Sequence, residues 1–410
     1  MFFALPSVTL RSQLHHTTLL MITTTARLLT GDAAHMADID DVSVDLMVTS
    51  PPYPMIEMWD GAFAKQDERI RSSLSEARGG EAFELMHSQL DRVWSECRRV
   101  LKPGGIACVN IGDATRTLEG DFQLYSNHSR ILSWFLSHGF SALPDILWRK
   151  PTNAPTKFMG SGMLPVGAYV TYEHEYILIL RNGRRREFAS PREKARRRQS
   201  AFFWEERNLW FSDIWLDLKG ATQGLVDKAA RSRSAAFPYE LSYRLICMFS
   251  IKEDIVLDPF AGTGTTLAAA AAAGRNALGF ELDEKLVPVA RQVLRSVPGF
   301  ANAYNRERIH RHLEFVASRM AESGPLKHRN SHYGFPVMTA QERELLINDV
   351  VDVSEEDEAL TIRYEEGPRP EFVRPWRDEE LLARHTEATT SGSSIATIGN
   401  QTQSTAEDAA

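Results

Sequence analysis

The chain predicts an α/β fold built on a mainly parallel sheet, and three observations predict it. From about Ala26 onward, short apolar runs alternate with helix-like stretches, the pattern of strands joined by crossover helices. Two of the apolar runs end abruptly in Pro- or Gly-rich turns, where open sheets of this kind carry their sites. The length of 410 residues and the hydrophobic fraction of 43% are ample for a full core, either one large domain with an insert or two domains.

The elements follow in order. Ala26–Thr30 reads as a short strand ending at Gly31-Asp32, and Val44–Thr49 as the next. Gly61–Gly80 is charged and lacks an apolar face, so it is expected to be a mobile loop. In Phe83–Val100, Phe83, Leu90, Val93, Trp94, Cys97 and Val100 recur near the helical period, and Lys102-Pro103-Gly104-Gly105 is expected to end that helix. Ile106–Ile111 reads as a buried strand, Ile131–His138 as a helix closed by Gly139, and Asp145–Trp148 and Tyr172–Leu180 as strands. From Arg181 to Arg207 ten Arg and Lys stand against four acids, a local excess suited to phosphate, although the whole chain carries −7. Phe202, Phe203, Trp204, Trp210, Phe211 and Trp215 interleave with or follow these charges, and are read first as a small core under the segment. A helix runs from Phe237-Pro238 to about Phe249, a strand over Ile255–Leu257, a small-residue helix over Thr265–Ala273, a strand over Asn276–Phe280 and a helix over Leu286–Leu294. Beyond Asn302 the pattern weakens to helical runs and an acidic stretch, Asp349–Glu358. The Thr-, Ser- and Ala-rich tail from Glu387 is expected to be disordered.

The remaining composition excludes several classes. Cys97, Cys108 and Cys247 form no CxxC pair, so neither a zinc site nor a disulfide framework is expected. No uncharged apolar run is long enough to span a bilayer. Residues 1–21 lack a clean apolar core and cleavage site, so they are expected to be a disordered extension, with Met21 as the natural start and the cytoplasm as the location.

Two motifs carry chemistry. Ser50-Pro51-Pro52-Tyr53 ends the Val44–Thr49 strand. The exocyclic amino group of a nucleobase delocalises its lone pair into the ring and is a poor nucleophile. The Ser50 hydroxyl and the Pro51 carbonyl can accept its hydrogens, Pro51 and Pro52 stiffen the backbone, and Tyr53 offers a flat face to an extruded base. The second motif, Asp258-Pro259-Phe260-Ala261-Gly262-Thr263-Gly264-Thr265-Thr266, joins a strand to an Ala-rich helix. Its glycines let a ligand approach the backbone, Asp258 suits an ammonium group, and Glu281, about 20 residues on at the next strand end, suits a ribose diol. No Gly-Lys-Ser/Thr ending follows, which argues against a P-loop.

Together the motifs resemble the amino-methyltransferases of DNA. Several weaker segments take the family's order: Gly31-Asp32, Val100–Gly105, Trp148-Arg149-Lys150-Pro151, Glu173–Leu178 and Phe237-Pro238. Having the catalytic motif first and the cofactor motif last marks the β, permuted class. The resemblance covers about Ala26–Leu294. It implies a Rossmann-like S-adenosylmethionine-dependent methyltransferase with a mostly parallel seven-stranded sheet, circularly permuted, plus a target-recognition insert. The implied division is an N-terminal extension (1–21), a catalytic half (22–180), the insert (181–236), a cofactor-binding half (237–302), a C-terminal extension (303–386) and a tail (387–410).

The resemblance assigns catalysis to Ser50, Pro51, Pro52 and Tyr53. It assigns the cofactor, S-adenosyl-L-methionine, to Asp32, Phe237, Pro238, Asp258, Pro259, Phe260, Gly262, Gly264, Thr265 and Glu281. Contact with double-stranded DNA falls to Trp148, Lys150, Arg184, Arg185, Arg186, Arg196, Arg197 and Arg198, and no metal is expected. Serine in the first position is more typical of cytosine-N4 than of adenine-N6 enzymes, and methylation of ring carbon is disfavoured because no cysteine follows a proline. The expected partner is a cognate restriction endonuclease acting on the same site without a stable complex, with the methyltransferase a monomer or homodimer. An adenine-N6 enzyme, an RNA substrate and a non-catalytic DNA-binding regulator of the same fold remain open.

Overall fold

The computed structural model describes residues 22–150, 159–218, 237–356 and 359–390. The expected extension before Ile22 and the tail beyond Thr390 lie outside the described residues. The main sheet contains β1 (Ile22–Thr30), β2 (Val44–Thr49), β3 (Leu101–Ile111), β4 (Phe140–Arg149), β5 (His174–Asn182), β6 (Ile214–Trp215), β7 (Ile255–Asp258), β8 (Asn276–Glu281), β9 (Val350–Glu356) and β10 (Ala359–Tyr364). Their spatial order is β6-β4-β5-β3-β2-β7-β8-β1-β10-β9. Every pairing from β3 through β2, β7 and β8 to β1 is parallel, and β5 runs antiparallel between β3 and β4. The seven expected strands are the middle of a ten-stranded sheet. The two-residue β6 covers β4, and the β9–β10 hairpin covers β1. Both additions cap edges that would otherwise offer unpaired backbone groups.

Alternate residues of the central strands face two helical layers. Leu46, Val48, Ile106 and Cys108 pack with α7 (Tyr239–Phe249), α8 (Thr265–Ala272), α9 (Val287–Arg295) and the start of α10 (Val297–Ser323). Met47, Ala107, Val109 and Leu257 face α3 (Gly79–Val100) and α4 (Asn127–Ser137). The run of alanines in α8 is fully buried, since only small side chains let that helix lie close to the strands.

Three local expectations change. The segment Gly61–Gly80 is not a loop but holds α1 (Asp60–Gln66) and α2 (Arg69–Ser75), each pinned by a few buried residues such as Phe63 and Ile70. The helix ends at Val100 just before Lys102–Gly105, as expected, but β3 begins directly at Leu101 and absorbs that segment with a register shift against β2. The weak C-terminal pattern resolves into the 27-residue α10 and, later, α11 (Asp378–Thr390).

The insert does not stand apart. It contributes α5 (Pro191–Gln199) and α6 (Trp204–Trp210). Phe203 joins Leu313, Val316, Phe335, Leu345 and Trp376 in a third core shared with the C-terminal extension. The core reading of the insert aromatics holds for Phe203, Trp210 and Trp215, which are buried, while Trp204 and Phe211 are partly exposed. All three cysteines are buried thiols. No described helix is long and apolar enough to cross a membrane.

Candidate active site and cofactor cleft

The parallel strands deliver both motifs to the same edge. β2 and β7 are neighbours, so Ser50 follows one carboxyl end and Pro259 the other. The Thr49 hydroxyl donates to Asp258 Oδ1 at 2.6 Å and ties the two ends together. A cleft of about 1080 Å³ opens there. Ser50, Pro51, Pro52 and Tyr53 line one part of it; Asp32, Asp258, Phe260, Gly262 and Glu281 line another.

The part lined by Asp32, Asp258 and Glu281 is a row of acids at adjacent strand ends. Asp258 ends β7, Glu281 ends β8 and Asp32 follows β1, whose Thr30 is paired with Glu281. Asp258 is buried, and burial pushes its carboxyl upward although Thr49 and the Phe260 N–H both donate to it. Glu281 is also pushed up by burial; its two oxygens accept the Gly262 and Asp283 N–H groups, each at 2.7 Å. Gly262 has φ +52°, and a Cβ there would meet only the Phe260 carbonyl oxygen at 3.9 Å, so that backbone is open to the cleft. Three carboxylates spread along an edge, with bare backbone between them, fit an elongated ligand that carries an amine, a ribose and a base. Phe237, Pro259 and Thr265 also line the cleft. Pro238 instead occupies the position before α7. Gly264 corrects its expected role: it has φ +81° and a Cβ there would sit 3.0 Å from Ala290 Cβ, so it admits α9 rather than ligand.

The part around Ser50 and Tyr53 is a hydrogen-bonded knot. Tyr53 Oη lies 3.1 Å from Ser50 Oγ and donates to Glu175 Oε2 at 2.9 Å. Asn110 Nδ2 donates to Glu175 Oε2 at 2.7 Å and to Tyr53 Oη at 2.9 Å. Lys150 Nζ donates to Glu175 Oε1 at 2.6 Å. Burial, with Glu175 beside it, holds the Tyr53 phenol well above its ordinary value. Behind the loop, Asn127 Nδ2 donates to the carbonyls of Pro54 and Gly112 at 3.1 and 3.0 Å, and His87 Nε2 lies 3.0 Å from Asn127 Oδ1. That clamp sets the path of the chain leaving Ser50-Pro51-Pro52-Tyr53.

The residues assigned to DNA are not brought together. Trp148 is 1% exposed and donates its Nε1–H to the Leu218 carbonyl, so it belongs to the core and offers no surface to DNA. Lys150 does reach the knot around Tyr53, through Glu175. The arginines lie at the opposite edge, because antiparallel β5 carries the chain from His174 beside Arg149 down to Asn182 beside Phe140. Arg186 pairs with Asp254 and Asp45, which sit at the amino ends of β7 and β2. Arg196 pairs with Glu253, and Arg198 with Glu344. Arg197 lies over the Phe188 ring, while Arg184 and Arg185 are exposed. The six-residue β2 alone separates these two edges by roughly 17 Å before any loop is counted.

Sequence reasoning missed Asn110, Glu175 and the roof. That roof is Trp59, Ala62, Phe63 and Gln66, in and just before α1, which also line the cleft. Asn110 sits inside an otherwise apolar strand, and a buried amide there was the available signal of a site.

A cleft that sets bare backbone and acids beside a polar Ser-Pro-Pro turn is the apparatus of a group-transfer enzyme with an adenosyl cofactor. Residues 44–292 match the N6/N4 DNA methylase family. The Type II methyltransferase M.MthZI of Methanothermobacter thermautotrophicus is 48% identical over 323 residues, 78% of this chain and 90% of that protein. M.MjaI of Methanocaldococcus jannaschii is 48% identical over 282 residues, 66% of this chain and 91% of that protein. A proposed DNA modification methylase of Thermus thermophilus, solved with S-adenosyl-L-methionine, is similar in structure with a TM-score of 0.52 and 34% identity, covering 67% of this chain and 97% of that one. The chain belongs to the N6/N4 DNA methylase family, and its cofactor is S-adenosylmethionine.

Proposed function

We propose that the protein methylates the exocyclic N4 of a cytosine flipped out of a specific site in duplex DNA, as the protective half of a Type II restriction–modification pair. The observation that carries this reading is the single cleft that sets Ser50-Pro51-Pro52-Tyr53 against the acid row of β7, β8 and β1. The relatives named as Type II methyltransferases support the biological setting.

S-adenosylmethionine supplies an electrophilic methyl group; the rest is done by the chain. Asp258, Glu281 and Asp32 would hold the amine, the ribose and the adenine amino group in turn. Ser50 Oγ and the Pro51 carbonyl would accept the hydrogens of the target amino group and turn its lone pair toward the methyl. The gain is chiefly orientation, with no covalent intermediate on the protein. Tyr53, whose ring borders the cleft, would face the extruded base. Serine is a neutral acceptor, which suits the cytosine amino group.

The test is nucleoside mass spectrometry of mixed-sequence duplex DNA after incubation with methyl-labelled cofactor. Label in N4-methylcytosine is expected. Label in N6-methyladenine would replace cytosine by adenine and leave the cleft's assignment intact. Ser50→Ala should slow methyl transfer about 100-fold while cofactor binding stays at the parent level.

A further inference from the structure

The hydrogen bonds around Ser50 have a direction. Asn110 Nδ2 has three acceptors in reach, Glu175 Oε2 at 2.7 Å, Tyr53 Oη at 2.9 Å and, more weakly, Ser50 Oγ at 3.5 Å; the two short contacts take its two hydrogens. The amide cannot be turned over, because its oxygen would then face a carboxylate. A carboxylate only accepts, so Tyr53 must give its one proton to Glu175 Oε2. Only a lone pair of Tyr53 Oη then faces Ser50, 3.1 Å away, and Ser50 must donate to it. With its proton drawn to Tyr53, the serine presents lone pairs alone to the cleft. A hydroxyl that could have turned its hydrogen toward the target amino group is held as an acceptor.

We propose that Glu175 is the positioning residue and terminal proton acceptor for methyl transfer, working through Tyr53 on Ser50; this rests on reading the cleft as an amino-methyltransferase site. As the nitrogen–methyl bond forms, the methyl–sulfur bond breaks and its electron pair stays on sulfur. The nitrogen then holds one proton too many. That proton passes to Ser50 Oγ, the Ser50 proton to Tyr53 Oη and the Tyr53 proton to Glu175 Oε2, leaving a neutral amine and a carboxylic acid. Lys150, with its side chain 44% exposed, donates to the other Glu175 oxygen and fixes the carboxylate so that Oε2 stays turned to Tyr53. Relays of this kind are strongest where each bond is short and water is excluded.

Among the described residues the charged neighbours of Glu175 are few. Lys150 faces it from the end of β4, and Tyr53 from the loop after β2. Arg149, at the end of β4, pairs at 3.2 Å with Glu173, the residue before β5. Next along β5, Tyr176 stacks on His128 at 3.8 Å and His174 lies 5.0 Å from Tyr176; His128 in turn pairs with Asp113 at 2.8 Å.

The experiment compares single-turnover methylation of duplex DNA by the parent, Glu175→Gln, Glu175→Asp and Tyr53→Phe across pH 5 to 9. Tyr53→Phe keeps the ring for stacking and removes only the relay. Expected are losses of about 100-fold in rate for Glu175→Gln and Tyr53→Phe, with cofactor and duplex dissociation constants within about threefold of the parent. The acid limb of the parent's pH–rate profile should vanish in Glu175→Gln, return in Glu175→Asp and persist in His128→Asn. A parental rate in either relay variant, a loss traced to cofactor or DNA affinity, or a limb that vanishes with His128→Asn instead would overturn the proposal. Product analysis of the parent separates the two levels. Methylated amino nitrogen with an unaffected Glu175→Gln sinks the relay alone, whereas no methylated amino nitrogen from the parent sinks the underlying reading and the relay with it.

Discussion

Gly262 and Gly264, two residues apart, do different work. Gly262 leaves backbone bare to the cleft; Gly264 lets α9 approach. Gly262→Ala should act mainly on cofactor binding, weakening it about tenfold, or ~1.4 kcal/mol, beside about 1 kcal/mol of strain from its left-handed φ of +52°. Gly264→Ala should do the reverse, destabilising the fold by about 2 kcal/mol, because the new Cβ meets Ala290 at a left-handed φ. Isothermal titration beside thermal melts separates the two. His87 makes a pH prediction. Because Asn127 uses its amide hydrogens on Pro54 and Gly112, its oxygen must accept from His87 Nε2, so His87 is neutral with a bare, buried Nδ1. Burial lowers its pKa from 6.5 to about 3. The unfolded chain therefore binds a proton that the folded chain refuses between those values. The contribution is present above pH 6.5 and is lost as pH falls toward 3. Urea titrations from pH 7 to 4 should show a one-proton loss of stability that His87→Gln, still an N–H donor, removes.

At the scale of elements, the informative contact is the weld between the insert and the C-terminal extension. Arg308 on α10 donates to both oxygens of Glu206 on α6, at 2.6 and 2.7 Å, and to Tyr243 Oη on α7 at 2.7 Å. Beside it, His312 Nδ1 lies 2.9 Å from Glu205 Oε1, and Nε2 lies 3.1 Å from the Pro336 carbonyl. Glu342 completes that group but is committed to capping, accepting from the Thr339 and Trp204 N–H groups. Removing one partner of a buried ion pair leaves the other uncompensated. Glu206→Ala should therefore cost about 3–5 kcal/mol in urea unfolding, whereas Arg308→Met with Glu206→Leu should recover much of it. The core role of Phe203, Trp210 and Trp215 was legible from the general tendency of aromatics to be buried, while Trp204 and Phe211 stay partly exposed. The partners in that core were not legible, because Phe203 and Leu313 are more than a hundred residues apart and only packing unites them.

At the scale of the whole molecule, the sheet separates charge from chemistry. The exposed Arg184 and Arg185 lie on the amino edge, away from the cleft. Arg184→Glu with Arg185→Glu should leave the KM for a short duplex and the salt dependence of binding within about twofold of the parent. A large loss would mean that DNA wraps to the far edge. The parallel core, the paired motifs and the strand-end acids were readable from sequence alone, because alternation, Pro and Gly report local backbone demands and a strand end in a parallel sheet is a site by geometry. Strand order was different. Nothing local says that β5 runs down the sheet and carries an arginine-rich segment to the wrong edge, that Trp148 points into the core, or that Asn110, Tyr53 and Glu175 converge from three strand ends. The place of the two motifs, each at the end of a strand, was determined by the sequence itself. Which distant side chains complete them was decided by the tertiary structure, because contacts between strands depend on order and register, which long-range packing alone selects.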